Sequence, residues 1–387
     1  MAATTLAVLS VSAGAGHVRA AEALRVTAQQ RFPGVRVEHL DLMELVPKLF
    51  RQLYAGSYNR LVASHPAVWG YIYDATDKPR QDNALNKFRR AIERLNTKKL
   101  KRALDGLAPD AVICTHFLPA ELLSRRIRKG KFDRPVFVQV TDFDVHRFWV
   151  HDWMTGYFAT CEEVAWRMRD RGVSQDHIRV TGIPIMPVFA QPPSREDCAR
   201  EIGLDRNRRT VLLMGGGAGV GGLDTLARRI LASCPGAQLI AAAGKNDALL
   251  ASLREAALAF PGRLFPVGFT TTIERLMVCA DLAVTKPGGL STSELLALGV
   301  PMILISPIPG QEERNADYLL EAGAALKASD AAALEYRITN LLANPGRLAA
   351  MAQASARAGR PRAAEAAIQA VLDHLASARA AGSAAHG

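Results

Sequence analysis

The stretch Thr285-Lys-Pro-Gly-Gly-Leu-Ser-Thr-Ser-Glu294 combines residue types that can hold an anion and a sugar side by side. An apolar run, Leu282 to Val284, reads as a buried strand that stops at Pro287-Gly288-Gly289. Ser291 falls where a helix N-cap belongs, and Glu294, three residues later, completes a capping-box pattern. A glycine turn opening a helix presents unpaired backbone N–H groups at the positive end of the helix dipole, which suits a diphosphate. Glu294, one turn in, can accept hydrogen bonds from paired sugar hydroxyls. A second chemistry is offered by His17, which directly follows Gly14-Ala-Gly16 at the predicted start of a helix. That position lies at the carboxyl end of a strand, where open α/β sheets bind ligands. An imidazole, with an ordinary pKa near 6.5, accepts a proton around neutral pH. The helix dipole is expected to lower that pKa and keep the ring neutral, as a base must be. Asp142, His146 and His151 compete for the same role, and His17 can also serve by hydrogen-bonding a substrate.

Three other patterns carry less. Gly217-x-Gly219-x-x-Gly222 follows a strand and precedes a helix, as in dinucleotide-binding folds. Such sites also need an acidic residue about 20 positions on, where this chain has Gly244-Lys245, so NAD and FAD are not expected. The glycines still allow a phosphate or an acceptor to approach the backbone. Gly244-Lys245-Asn246 lacks the spacing of a nucleotide-triphosphate loop. Asp142-x-Asp144 is too short a pattern to imply a metal and reads as structural or acceptor-organising. No metal and no cofactor are expected.

These residues need strands to aim them. Leu6–Leu9, Val35–His39, Ala111–Cys114 and Val136–Val140 are short apolar runs of parallel-strand type, mostly separated by helical patterns. Gln191-Pro-Pro-Ser reads as a linker, after which the alternation resumes at Val211–Met214, Leu239–Ala243, Leu282–Val284 and Met302–Ile305. The fold class is therefore α/β, with two Rossmann-like, doubly wound domains. The expected boundaries are 1–185 for the first domain, 186–208 for the linker and 209–360 for the second domain. The segment 361–387 should form an Ala-rich helix, roughly Pro361 to Ala376, returning to the first domain, with the last ten residues disordered.

At 387 residues the chain exceeds what one core usually supports, which agrees with two domains. No run approaches the roughly 18 apolar residues of a membrane span. Five scattered cysteines argue for a reducing cytosol and against a zinc site. Met1–Val11 lacks the basic leader of a signal peptide, and cleavage near Ala13 would separate the first strand from its glycine turn. The net charge of +11 implies an anionic partner, and much of it is clustered. One cluster runs from Lys87, Arg89 and Arg90 to Arg102, and the other from Arg125 to Lys131. Nucleic acid would call for interleaved aromatics, and Phe88 stands nearly alone, so an anionic membrane surface fits better. The aromatic stretch from Lys48 to Tyr73 is either a buried helical hairpin or an interfacial segment. In the second case Trp69 and Tyr71, with Lys87, Arg89 and Arg90, contact the membrane.

Four motifs together resemble the diacylglycerol glucosyltransferase and monogalactosyldiacylglycerol synthase family. They are Ser12-Ala-Gly-Ala-Gly-His17 with Arg19 and Glu22; Thr141-Asp142 with His146, Trp149 and His151; Met214-Gly215-Gly216-Gly217; and Lys286-Pro-Gly-Gly with Glu294, Pro309-Gly310-Gln311-Glu312 and Asn315. The resemblance implies the two-domain architecture called GT-B, a UDP-sugar donor and a diacylglycerol acceptor. It implies a donor site of Gly215, Gly216, Gly217, Phe269, Thr270, Lys286, Gly288, Gly289, Ser291, Glu294, Gly310, Gln311, Glu312 and Asn315. Within it Phe269-Thr270 would border the uracil, Glu294 would hold the ribose hydroxyls, and Gln311 and Glu312 would hold the sugar hydroxyls. Gly14, Gly16, Asp142, His146, Trp149 and His151 would organise the acceptor. The implied reaction is a single inverting displacement giving a β-glycosyl diacylglycerol, possible in successive rounds, by a peripheral protein on the cytoplasmic membrane face. N-acetylglucosamine transfer to an undecaprenyl-linked acceptor and non-catalytic binding of a nucleotide sugar or lipid are the alternatives.

Overall fold

A computed structural model of the protein describes residues 4–12, 14–48, 51, 70, 77, 98–215 and 222–384. The first half alternates as expected. Its elements are β1 (Thr4–Ser10), α1 (Ala15–Arg31), β2 (Val35–Asp41), α2 (Leu42–Leu45), α3 (Lys98–Leu107), β3 (Ala111–Cys114), α4 (Phe117–Arg128), β4 (Val136–Gln139), β5 (Gly156–Ala159), α5 (Glu162–Asp170) and β6 (Ile178–Val180). The strands form one sheet in the order β2-β1-β3-β4-β5-β6, and every pairing is parallel. Every residue of β3 and β4 is buried, which explains their unbroken apolar runs.

The second half holds α6 (Arg195–Ile202), β7 (Arg209–Met214), α7 (Leu223–Ser233), β8 (Ala237–Gly244), α8 (Asp247–Leu258), β9 (Leu264–Gly268), α9 (Glu274–Met277), β10 (Leu282–Thr285) and α10 (Gly289–Ala297). It continues through β11 (Met302–Ile305), α11 (Gln311–Glu321), β12 (Ala325–Ala328), α12 (Ala331–Leu342), α13 (Pro345–Ala358) and α14 (Ala363–Ala384). Its strands pair in parallel in the order β12-β11-β10-β7-β8-β9, the doubly wound order of dinucleotide-binding domains.

The chain divides into two compact units. One comprises 1–187, 308–311 and 362–387, and the other comprises 188–307 and 312–361. Helix α14 belongs to the first unit, where Ala364, Ala367, Ile368 and Val371 join Leu6, Val8, Leu24 and Ile113 in one core. It runs on to Ala384, so the expected disorder from residue 378 onward is corrected over most of that length. The reason is local: the run is rich in alanine, the strongest helix former, and Arg379 pairs with Asp110 at 3.2 Å.

Both sheets have a switch point, where strand order reverses and the following turns diverge to leave a crevice at the carboxyl ends. In the first unit it lies between β1 and β3, and in the second between β7 and β10. The turns after those four strands are where the candidate chemistry falls.

Candidate functional site

In the first unit, the turn after β1 leads into α1, whose N-cap is Gly14 and whose third residue is His17. The turn after β3 contributes Thr115 and His116. His17 Nδ1 lies 2.9 Å from the Thr115 carbonyl oxygen and 2.9 Å from Thr141 Oγ1. A carbonyl can only accept, so the ring proton sits on Nδ1 and the lone pair is left on Nε2. Thr115 Oγ1 donates to the His17 carbonyl at 3.0 Å, which locks the residue from its other side. The half-buried ring has its pKa lowered from 6.5 to about 4, chiefly by burial and against the opposing hydrogen bond that it donates to the Thr115 carbonyl. The expected direction is present, but desolvation of the ring is its principal cause.

The ring of His116 meets that of His17 edge to face, with centroids 4.6 Å apart. Trp149 lies within 6.2 Å of both and is itself buried. Sequence reasoning singled out Trp149 but missed Thr115 and His116. The signal was available, because His116 lies between a buried strand and the start of a helix, much as His17 opens a helix after β1.

Of the rival bases, His146 is engaged at both ring nitrogens. His146 Nδ1 accepts from Phe148 N–H at 3.1 Å, so its proton is on Nε2, which faces Asp77 Oδ1 at 4.0 Å. Asp77 is clamped by Arg171 Nη2, with both carboxylate oxygens at 2.7 Å. His151 Nδ1 lies 3.1 Å from Glu121 Oε2, and its Nε2 is buried without a partner. Tyr157 Oη brackets the His151 backbone, 2.8 Å from its N and 2.6 Å from its O. Asp142 is half-buried and accepts from Thr160 Oγ1 through its carbonyl. Asp144, buried, faces Arg167 Nη1 at 3.5 Å. Among the described residues no three His, Cys, Asp or Glu side chains are grouped to hold a metal ion. Gly16 lies in the first turn of α1 with Gly14 before it.

In the second unit, the register places Val284 of β10 beside Leu213 of β7, so the turns at Lys286 and Gly215 emerge side by side. Gly216 and Gly217 lie outside the described residues, as do Trp69, Tyr71, Lys87, Arg89 and Arg90. Helix α10 starts at Gly289, three residues earlier than expected. Its N-cap is Gly288, with extended backbone and no side-chain cap, which corrects the assignment of Ser291 as the cap. Thr292 and Ser293 turn inward instead, their hydroxyls donating to the carbonyls of Gly288 and Gly289 at 2.9 and 2.7 Å. The first-turn N–H groups are therefore not taken by a cap. Lys286 is half-buried and Glu294 is buried. Asn315, fully buried in α11, donates from Nδ2 to the Pro287 carbonyl at 3.1 Å and holds the turn.

Gly310, at the turn before α11, has φ +89°, a conformation that favours glycine. Gln311 and Glu312 follow, half-buried, in the first turn of α11. Phe269 and Thr270 follow β9, at the carboxyl end of the second unit's sheet. Phe269 is 60% exposed, and Lys245 Nζ lies 4.9 Å from its ring centroid. Thr270 Oγ1 accepts from Thr272 N–H at 3.1 Å and shapes that turn.

Two parallel doubly wound sheets, each with glycine turns at its switch point, define the GT-B class of sugar-nucleotide proteins. UDP-GlcNAc 2-epimerase of Neisseria meningitidis, bound to UDP-GlcNAc, superposes with TM-score 0.60 at 13% identity, over 96% of this chain and 100% of that one. MurG of Acinetobacter baumannii superposes with TM-score 0.58 at 17% identity, over 96% and 99%. At these identities the two show the fold alone. The profile of monogalactosyldiacylglycerol (MGDG) synthase matches residues 17–185, and that of the glycosyltransferase family 28 C-terminal domain matches residues 210–367. A processive diacylglycerol beta-glucosyltransferase of Bacillus cereus (strain AH187) is 30% identical over 94% of this chain and 92% of its own length. Another, of Bacillus pumilus, is 29% identical over 89% and 88%. The chain belongs to this family of diacylglycerol glycosyltransferases.

Proposed function

We propose that the protein transfers a hexose from a UDP-sugar to the free hydroxyl of 1,2-diacylglycerol, with inversion, at an anionic membrane surface. The observation that carries this reading is the fixed tautomer of His17. The Thr115 carbonyl holds the proton on Nδ1, and Nε2 makes no hydrogen bond to a described residue. A neutral imidazole held in this way is built to take a proton. The acceptor hydroxyl gives its proton to Nε2 as its oxygen attacks the anomeric carbon. The bond from that carbon to the diphosphate breaks on the opposite face, and UDP leaves. The uncapped N–H groups at the start of α10 stabilise the charge gathering on the diphosphate, and Lys286 adds a cation beside them. Glu294 takes the ribose hydroxyls, Phe269 borders the base, and Gln311 and Glu312 take the sugar hydroxyls. No step calls for a metal ion.

The membrane part rests on charge and on the lipid acceptor. Lys98, Lys99, Lys101 and Arg102 are exposed on α3, while Leu100 and Leu104 are buried beneath them. Among the described residues no helix is long and apolar enough to cross a membrane. The protein docks peripherally, from the cytoplasmic side where UDP-sugars are made. The relatives are named for glucose and the N-terminal family profile for galactose, and the assay must separate the two.

The test is incubation with diacylglycerol in anionic vesicles, with UDP-glucose or UDP-galactose in turn and with chelator present. Products are identified by mass spectrometry and anomeric NMR. The expected result is a β-linked glycolipid that disappears in His17→Ala. UDP binding without any product from either donor would overturn the reading in favour of a polyprenyl-linked acceptor or a binding protein.

A further inference from the structure

We infer that His116 is a second acceptor-side histidine, donating a hydrogen bond from Nε2 to an ester oxygen of the lipid while His17 takes the proton of its hydroxyl. The inference rests on the function proposed above and names a group which that function leaves unused.

His116 is the N-cap of α4, and its Nδ1 accepts from Leu118 N–H at 3.0 Å. A neutral ring that accepts at Nδ1 carries its proton on Nε2. The proton assignments of the two histidines are thus opposite. His17 presents a lone pair at Nε2, and His116 presents an N–H at Nε2. The ring is 4% exposed, yet no described residue takes up that N–H, and it is not among the fully sealed unpaired atoms, unlike Nε2 of His151. Leaving a donor unused in so buried a ring costs free energy unless something accepts from it. Burial, and then the neighbouring His17, hold its pKa well below 6.5, so it stays a neutral donor at physiological pH.

The edge-to-face contact at 4.6 Å places this donor next to the base. A 1,2-diacylglycerol offers matching chemistry, because the carbon bearing its hydroxyl is bonded to a carbon bearing an ester. An acceptor hydroxyl at His17 therefore brings an ester oxygen within the neighbourhood of His116. Trp149, against both rings, supplies an apolar wall for the glycerol carbons.

The helix cap and the substrate contact can be separated by substitution. His116→Ser keeps a side-chain acceptor at the N-cap but has no donor that reaches as far as Nε2. His116→Asn keeps the cap and an N–H donor. Each variant is assayed with 1,2-diacylglycerol and with the 1,2-dialkyl ether analogue, which lacks the ester carbonyls. The wild type is expected to prefer the diester. In His116→Ser the KM for the diester should rise roughly three- to tenfold, as for loss of one neutral hydrogen bond. The KM for the diether should stay unchanged, so the preference is lost. His116→Asn should restore part of it, with thermal midpoints alike in all three proteins. A wild type that glycosylates diacylglycerol while His116→Ser retains the diester preference would overturn this inference alone. A wild type that glycosylates neither lipid would overturn the proposed function, and this inference with it.

Discussion

The ionisation of His17 gives the most direct physical test of the site. Burial lowers its pKa from 6.5 to about 4. At 1.36 kcal/mol per pH unit, this disfavours the imidazolium by about 3 kcal/mol. Two consequences follow with opposite practical sense. For catalysis, an ordinary histidine is half protonated at pH 6.5, whereas this ring is protonated in well under ~1% of molecules. With His17 as the proposed base, the lone pair is available across the neutral range, and kcat/KM should show no acid limb from His17 above about pH 5. For stability, the folded state binds its proton less readily than the unfolded chain between pH 6.5 and about 4. Stability thus falls as pH drops through that window, and the loss levels off near 3 kcal/mol below it. His116 shifts in the same direction, principally through burial. The assay is a titration of the imidazole carbon resonances by heteronuclear NMR, with His17→Asn used to assign the signal. A His17 signal titrating near 6.5 would refute the claim that the ring is desolvated, and with it the account of why the base stays neutral.

Three further outcomes test other parts of the fold. At Gly288, with φ −72°, no atom lies within 4 Å of where a Cβ would stand. Gly288→Ala should therefore leave the thermal midpoint unchanged or slightly raised, while the added methyl meets the incoming diphosphate and raises the donor KM about tenfold, seen in steady-state kinetics. Asn315→Ala leaves the buried Pro287 carbonyl without this donor; chemical denaturation should show a loss of about 1–3 kcal/mol, and calorimetry a weaker UDP affinity. Ile368→Ala opens a cavity in the core shared by α14, β1 and α1; it should cost about 2–5 kcal/mol by denaturant titration.

The sequence disclosed most of this fold because parallel strands between helical layers must be apolar throughout. Ala111–Cys114 and Met302–Ile305 were read to the residue for that reason. Four strands were not read: the short β5 and β6, and two whose composition is mixed. Leu264–Gly268 contains Pro266 and Gly268 and is only partly buried, and Ala325–Ala328 carries Lys327 at the sheet edge. At the site, glycine turns and His17 were legible because their spacing is local. His116 and Thr115 were not, because their meaning depends on β1 and β3 lying side by side across 98 residues of chain. The tautomer of His17 was equally hidden, since the carbonyl that sets it belongs to a residue whose type is irrelevant to the contact.

The capping of the helices ties the two units to one chemical logic. Six helices here begin with a side-chain acceptor: Asp41, His116, Ser194, Asn246, Asp330 and Asn344 cap α2, α4, α6, α8, α12 and α13. Each such cap contributes about 1 kcal/mol. Helices α5 and α9 begin at Cys161 and Ile273 without a side-chain hydrogen bond, and α1, α7 and α10 likewise begin without one, at Gly14, Gly222 and Gly288. In α1 and α10 the first turn also lacks an acidic residue to complement the dipole. The three that start at glycine are the helices that follow the glycine turns, at the strand ends where bound molecules are expected. A capping oxygen there would satisfy the same N–H groups that an anionic oxygen of a substrate has to reach. A serine at 288 would thus raise the stability of α10 and weaken its hold on the diphosphate. An uncapped start at Gly288 is what the proposed diphosphate site calls for, and it explains why a capping box read at Ser291 was reasonable in sequence and absent in the fold.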